Sequence, residues 1–139
     1  MIRILYLLLL AGAMVAQPPK SYLVKLGTPV NSRTSKAGAP IRAAIISPES
    51  LLGGYFEGTV EKAQSTPNGA LVLRFDKLVY QGKTTSIRTE VIDWVNSKGH
   101  KSVDDDERAV TLDNGELRTA GRELWLDEGS EIRVRVATR

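Results

Sequence analysis

The sequence predicts an all-β fold, a single small β-barrel or two-sheet sandwich of about seven or eight mostly antiparallel strands. Three observations carry this. Residues 70–95 alternate apolar and polar side chains with the period of two that puts one set on the buried face of a strand. Shorter alternating segments recur elsewhere, with Ile132, Val134 and Val136 set against Glu131, Arg133 and Arg135, and glycine or proline stands between such segments. After residue 16 no stretch has the 3.6-residue periodicity of an amphipathic helix.

Taken in order, residues 1–16 read as a secretory signal peptide. Arg3 is followed by an apolar run at 4–10 and by the small residues Ala11, Gly12, Ala13 and Ala16. The run falls short of the roughly 20 residues of a membrane span, and Gln17-Pro18-Pro19 ends it. Cleavage is expected after Ala16, with Ala13 as the alternative. No cysteine follows to carry a lipid. Residues 17–139 then form one β-domain, large enough to bury a core without staples.

The first strand is expected at 21–26, with Tyr22, Val24 and Leu26 on one face. Residues 27–40 read as a turn and extended connection. A second core strand at 41–46 is bounded by Pro40 and Pro48. Gly53 and Gly54 turn the chain into a strand where Phe56, Gly58 and Val60 share a face, and a glycine inside a strand marks a bend or a close backbone approach. Residues 65–69 turn into the segment 70–95. There Leu71, Leu73 and Phe75 keep one phase, but Leu78 comes three residues after Phe75. One extra residue must be absorbed at Asp76-Lys77, which is a β-bulge. With a turn at Gln81-Gly82, Tyr80 faces Lys83 and Leu78 faces Thr85. Below the bulge Phe75 is expected to face Ile87, Leu73 to face Thr89 and Leu71 to face Val91.

Residues 96–107, with the only histidine, His100, and the acidic run Asp104-Asp105-Asp106-Glu107, read as an exposed loop. A short strand at 108–112, a turn at Asp113-Asn114-Gly115, a return from Leu117, a segment at 123–126 and a last strand at 131–137 complete the chain. Laying Gly53 on Gly129 superposes Phe56, Gly58 and Val60 on Ile132, Val134 and Val136, a weak internal echo of a glycine turn feeding a strand.

The order Thr28, Ser32, Gly38 and Ile41-Arg42-Ala43, then 51–58, then the segment LRFDKLVYQG resembles the β-barrel domain of conjugal-transfer and type IV secretion scaffold proteins. The pattern is also similar to that of small exported bacterial envelope proteins. The resemblance covers about half the chain and implies the barrel fold.

The residues themselves exclude several activities. The net charge of +3 arises from basic and acidic residues interleaved along the chain, which is not a nucleic-acid footprint. The absence of cysteine suits a bacterial envelope or secreted protein that folds without disulfides. His100 has no second histidine or cysteine with which to hold a transition metal, and the acidic run lacks the alternate spacing and glycine of a calcium loop. Glu61, Asp76, Glu90 and Asp93 alternate with lysine and arginine, so outward cross-strand ion pairs are expected rather than a glycosidase acid and base. Trp94 and Trp125 read as core or sheet-end packing, with sugar stacking as the alternative. No phosphate loop or nucleophile elbow is present. No catalytic, cofactor-binding or metal-binding residue is therefore assigned. The expected role is that of a non-enzymatic periplasmic or secreted protein that binds or scaffolds a protein partner in the cell envelope through the loop 96–107 or a free strand edge. Nucleic acid and a membrane span after signal cleavage are not expected. A small glycan-binding protein or glycan hydrolase is the alternative.

Overall fold

The computed structural model describes residues 21–99, 110–121 and 123–137. Its elements are β1 (Ser21–Leu26), β2 (Val30–Asn31), β3 (Pro40–Ser47), a 3-10 turn (Glu49–Leu51), β4 (Tyr55–Gln64), β5 (Ala70–Tyr80), β6 (Lys83–Ser86), β7 (Arg88–Val95), β8 (Val110–Asp113), β9 (Glu116–Thr119), β10 (Trp125–Leu126) and β11 (Glu131–Ala137). One nine-stranded sheet runs β7-β11-β1-β3-β4-β5-β9-β8, with β6 beside β5, and β10 pairs with β2 in a separate two-stranded sheet. The pairings are antiparallel.

The ends of this sheet curl toward each other into a nearly closed barrel. Thr89 of β7 reaches across to β5, where its hydroxyl accepts from the Phe75 N–H at 2.9 Å and donates to the Phe75 carbonyl at 2.6 Å. The turn between β8 and β9 also lies against β7, since a Cβ at Gly115 would stand 3.1 Å from Cγ of Glu90. Bulges supply the curl. The registers place extra residues at Ile46 in β3, Glu61 in β4, Asp76 in β5 and Ile92 in β7. At Glu61 the inward phase of Phe56, Gly58 and Val60 changes, so Ala63 packs on the core and Lys62 and Gln64 point outward.

The interior is one apolar cluster. Tyr22, Phe56 and Phe75 form its aromatic spine, with ring centroids 5.3 and 5.9 Å apart in tilted pairs. Gly58 is where β4 and β5 come closest, because a Cβ there would lie 2.0 Å from the Arg74 carbonyl oxygen. This is the close backbone approach expected of a strand glycine.

The expected strands at 21–26 and 131–137 match β1 and β11, and the bulge falls at Asp76. Gln81 and Gly82, at φ of 49° and 77°, make the mirror-image hairpin turn, as do Asn114 and Gly115 at 51° and 81°. Above the bulge Tyr80 faces Lys83 and Leu78 faces Thr85, as expected. Below it the structure corrects the reading. The chain breaks at Ile87, and β7 leaves β5 to pair with β11, Val134 facing Val91 and Val136 facing Thr89. The place expected for Val91 beside Leu71 is taken by Leu117 of β9. Phe75, Ile87, Thr89 and Val91 are nevertheless all buried, and Leu78 packs on the core. The inward phase was therefore correct and the partner was not. Of the two expected architectures the structure is the barrel, because the large sheet curls on itself and the second sheet is only the two-residue pair β2–β10. The strand count exceeds the expected one because two-residue bridges and the split of β6 from β7 add elements. Among the described residues there is no α-helix. Residues 1–16, His100, the acidic run 104–107 and the start of the 108–112 strand lie outside the described residues.

Candidate functional site

The strand carboxylates settle into ion pairs where a partner faces them. Glu90 is directly opposite Arg135 and accepts from it at 2.6 Å. Glu61 holds Arg74 through both Nε at 3.0 Å and a terminal nitrogen at 2.8 Å. Asp93 faces Arg133 across the ladder and accepts the Trp94 N–H at 2.9 Å, and Asp76 sits exposed at its bulge. Among the described residues no group of three or more His, Cys, Asp or Glu side chains could hold a metal ion. Trp94 is 6 % exposed in the core, which removes it as a stacking platform. Trp125 is half-buried on β10 beside a shallow cleft of about 340 Å³ that also contains Pro29 and Thr34.

The loop that follows β7 is fastened at its described end. The Asp127 carboxylate accepts from the Ser97 hydroxyl, from the Ser97 N–H at 3.2 Å and from the Ser130 hydroxyl at 2.8 Å. Burial pushes this carboxyl up, but the hydrogen bonds outweigh it and hold Asp127 below its ordinary value. Residues 96–99 are thereby tied to the turn that enters β11, whose Gly129 N–H in turn bonds the Leu26 carbonyl at 2.8 Å.

An open, largely apolar groove lies outside β1, β3 and β4, with a volume of about 420 Å³. Register explains it. Lys25 faces Ala44 and Ala44 faces Tyr55, so a methyl group stands between two long side chains. Gly27 and Gly54 keep the floor low on either side. Arg42 stacks on the Tyr55 ring at 4.3 Å from its centroid and donates to Glu57 at 2.9 Å. The two glycines of the internal echo border this groove: Gly53 and Gly129 both line it and take φ of 92° and 96°. Leu52, at 52 % exposure, projects from the adjoining turn. Sequence reasoning missed the groove. Its only linear signal is the recurrence of small residues at 27, 44 and 54, which gains meaning once the register is known.

A second, polar cleft of about 630 Å³ lies outside β4, β5 and β9, around Lys62, Glu116 and Arg118. Hydrogen bonds from Lys62 and Arg118 hold the Glu116 carboxyl below its ordinary value. No helix among the described residues is long and apolar enough to cross a membrane. No protein-family model, no curated protein and no solved structure matches this chain.

Proposed function

We propose that this protein is a non-enzymatic, exported β-domain that works by holding a protein partner in the cell envelope. The reading rests on one observation, the groove over Ala44. Small residues floor it, Tyr55 forms one wall, and its volume is within the range of sites that accept a side chain or small ligand. The strand carboxylates Glu61 and Glu90, by contrast, are engaged by arginine, which leaves them poorly placed for proton transfer. An apolar side chain on an extended segment of the partner fills the groove, with Leu52 at its rim. Export is the reading of the leader-like pattern at residues 1–16, where Arg3 precedes an apolar run and small residues.

Site-specific photo-cross-linking in cells tests this. A cross-linker replacing Ala44 is expected to give a discrete adduct with one envelope protein, and the same group replacing Arg74 on another face is expected to give none. Equal labelling from both positions would remove the groove from the reading. Hydrolysis of an envelope glycan by the purified chain, lost on Glu90→Gln, would replace the contact role with an enzymatic one. N-terminal sequencing of the exported protein is expected to begin at Gln17, or at Met14, and retention of Met1 would refute the leader.

A further inference from the structure

The groove over Ala44 lies on a local two-fold axis of the backbone. Lys25 pairs with Ala44, and the row continues from Lys25 to Glu131 on one side and from Ala44 to Tyr55 on the other. A half-turn about the middle of the Lys25–Ala44 pair exchanges β1 with β3 and β11 with β4. The hydrogen bonds obey it: Leu26 N–H donates to the Ser130 carbonyl at 2.8 Å, and Ile45 N–H donates to the Gly54 carbonyl at 3.0 Å. The glycine turns obey it too, since the offset that lays Gly53 on Gly129 lays Tyr55 on Glu131 and Leu52 on Glu128. The echo in the sequence is a repeat of backbone structure around one site.

The side chains break the symmetry. The β3–β4 half carries Ala44 and Tyr55, with Leu52 exposed on the adjoining turn. The equivalent places on the β1–β11 half hold Lys25, Glu131 and Glu128. One half is apolar and the other charged, and Ala44 and Glu131 are two strand spacings apart, ~10 Å. An occupant that satisfies both halves is therefore amphipathic along its length.

The charges around the groove decide the sign of its polar end. Arg42 is held by Glu57 at 2.9 Å, and Lys25 faces Glu131 across the ladder. Asp127, next to Glu128, is bonded to Ser97 and Ser130. With Lys98 of the fastened loop included, three cations, Lys25, Arg42 and Lys98, stand against four carboxylates, Glu57, Asp127, Glu128 and Glu131. Further out, charges cancel in pairs: Lys77 with Asp76 on β5, Arg133 with Asp93 across the ladder, and Lys83 with Glu49 around the Tyr80–Ser50 contact. One negative charge remains. Glu128 is exposed on the groove wall and makes no ion pair among the described residues.

We propose that the groove takes an extended peptide segment of the partner in which an apolar side chain is followed, two residues later, by lysine or arginine; this rests on the contact reading above. The apolar group lies on Ala44 between Tyr55 and Leu52, and the cation extends past Lys25 to Glu128 and Glu131. Residues two apart share one face of an extended segment at a separation of ~7 Å, and the long basic stem covers the remainder.

Heteronuclear NMR titration of the purified exported chain with the pentapeptide acetyl-Gly-Leu-Ser-Arg-Gly-amide tests the assignment, read at the amides of Ala44 and Gly129. Replacing the peptide's arginine by glutamine is expected to weaken binding about threefold, and replacing it by glutamate to weaken it further. Replacing its leucine by serine is expected to cost about tenfold. The double variant Glu128→Gln, Glu131→Gln is expected to bind the arginine and glutamine peptides equally, and Glu128→Gln alone decides if the double variant fails to fold. Ala44→Leu, which fills the floor, is expected to weaken both peptides and keep their ratio, and Lys62→Gln on another face to change nothing. Equal binding of the two peptides by the parent, or a preference for arginine that survives both glutamine variants, would overturn the basic position, while the groove stands as long as Ala44→Leu weakens both. Hexylamine, with an apolar chain and a cation but no peptide backbone, is expected to bind more weakly than the pentapeptide; binding as tight would give the groove to a small amine instead. No shift with any peptide at millimolar concentration would overturn the peptide assignment, and the contact reading would then be decided by the cross-link from position 44.

Discussion

The inside of the barrel depends on single residues where two backbones touch, and Gly58 is the clearest. Its missing side chain lets β4 and β5 approach until a Cβ would stand 2.0 Å from the Arg74 carbonyl oxygen and 2.5 Å from the Phe75 Cα. Neither atom is at the end of a flexible side chain that could step aside. The bulge at Asp76 begins one residue further along β5, where the register moves from Gly58–Phe75 to Glu57–Lys77, so the approach and the bend form one local feature. Gly58→Ala must push the strands apart beneath Phe56 and Phe75, both fully buried. A loss of about 3 kcal/mol or more is expected in urea unfolding, whereas Gly38→Ala, in open space but at positive φ, is expected to cost only about 1 kcal/mol. A Gly58→Ala protein as stable as the parent would mean that the two strands are not in this contact in solution.

At the scale of elements, sequence pattern found inward phase well and pairing poorly. β1, β3 and β11 were legible because alternation, β-branched residues and flanking prolines or glycines are local signals. The segment at 123–126 contains β10, but the two-residue strand β2 and its pairing with β10 were not legible, since that pairing is sustained by tertiary bonds such as Ser32 N–H to the Leu124 carbonyl at 2.7 Å. The choice of β11 over β5 by β7 was also hidden, because alternating Thr89 and Val91 suit either neighbour. The groove was illegible for the same reason: it is made by a small residue between two long ones on adjacent strands, and adjacency needs register. The tie between residues 96–99 and β11 belongs to this scale as well. Asp127, held below its ordinary value by Ser97 and Ser130, and Glu116, held down by Lys62 and Arg118, both favour the folded state when ionised. Their contribution is complete above the ordinary carboxylate range and is lost as pH falls through the depressed values. Unfolding midpoints are therefore expected to stay level down to about pH 5 and to decline below about pH 4, less steeply in Asp127→Asn and Glu116→Gln. Hydrogen exchange should show faster opening of residues 97–99 in Asp127→Asn. An unchanged rate there would mean that Asp127 does not hold the loop.

For the whole molecule the decisive question is how a sheet whose path has two ends behaves as a barrel. Above the bulge β5 is flanked by β4 and β6, and at Ala70–Val72 by β4 and β9. Between these zones, at Phe75, its second side has no ladder partner, and the Thr89 side chain fills the place by bonding both the N–H and the carbonyl of that residue. Beside it a ladder-like bond runs from the Ile87 N–H to the Asp76 carbonyl at 3.0 Å. Thr89 is 5 % exposed, so water cannot readily replace its hydroxyl, and losing it would leave buried backbone groups unsatisfied. Thr89→Val keeps the shape and removes the bonds. It is expected to cost about 2 kcal/mol, with the Phe75 and Ile87 amides exchanging faster while those of β1 and β3 follow only the global loss. Thr89→Ser keeps the hydroxyl and is expected to retain the protection of Phe75 despite the missing methyl group. If Thr89→Val and Thr89→Ser are equally destabilised and Phe75 remains protected in both, the hydroxyl is not what joins β7 to β5, and closure rests on apolar packing of Ile87 and Val91 alone.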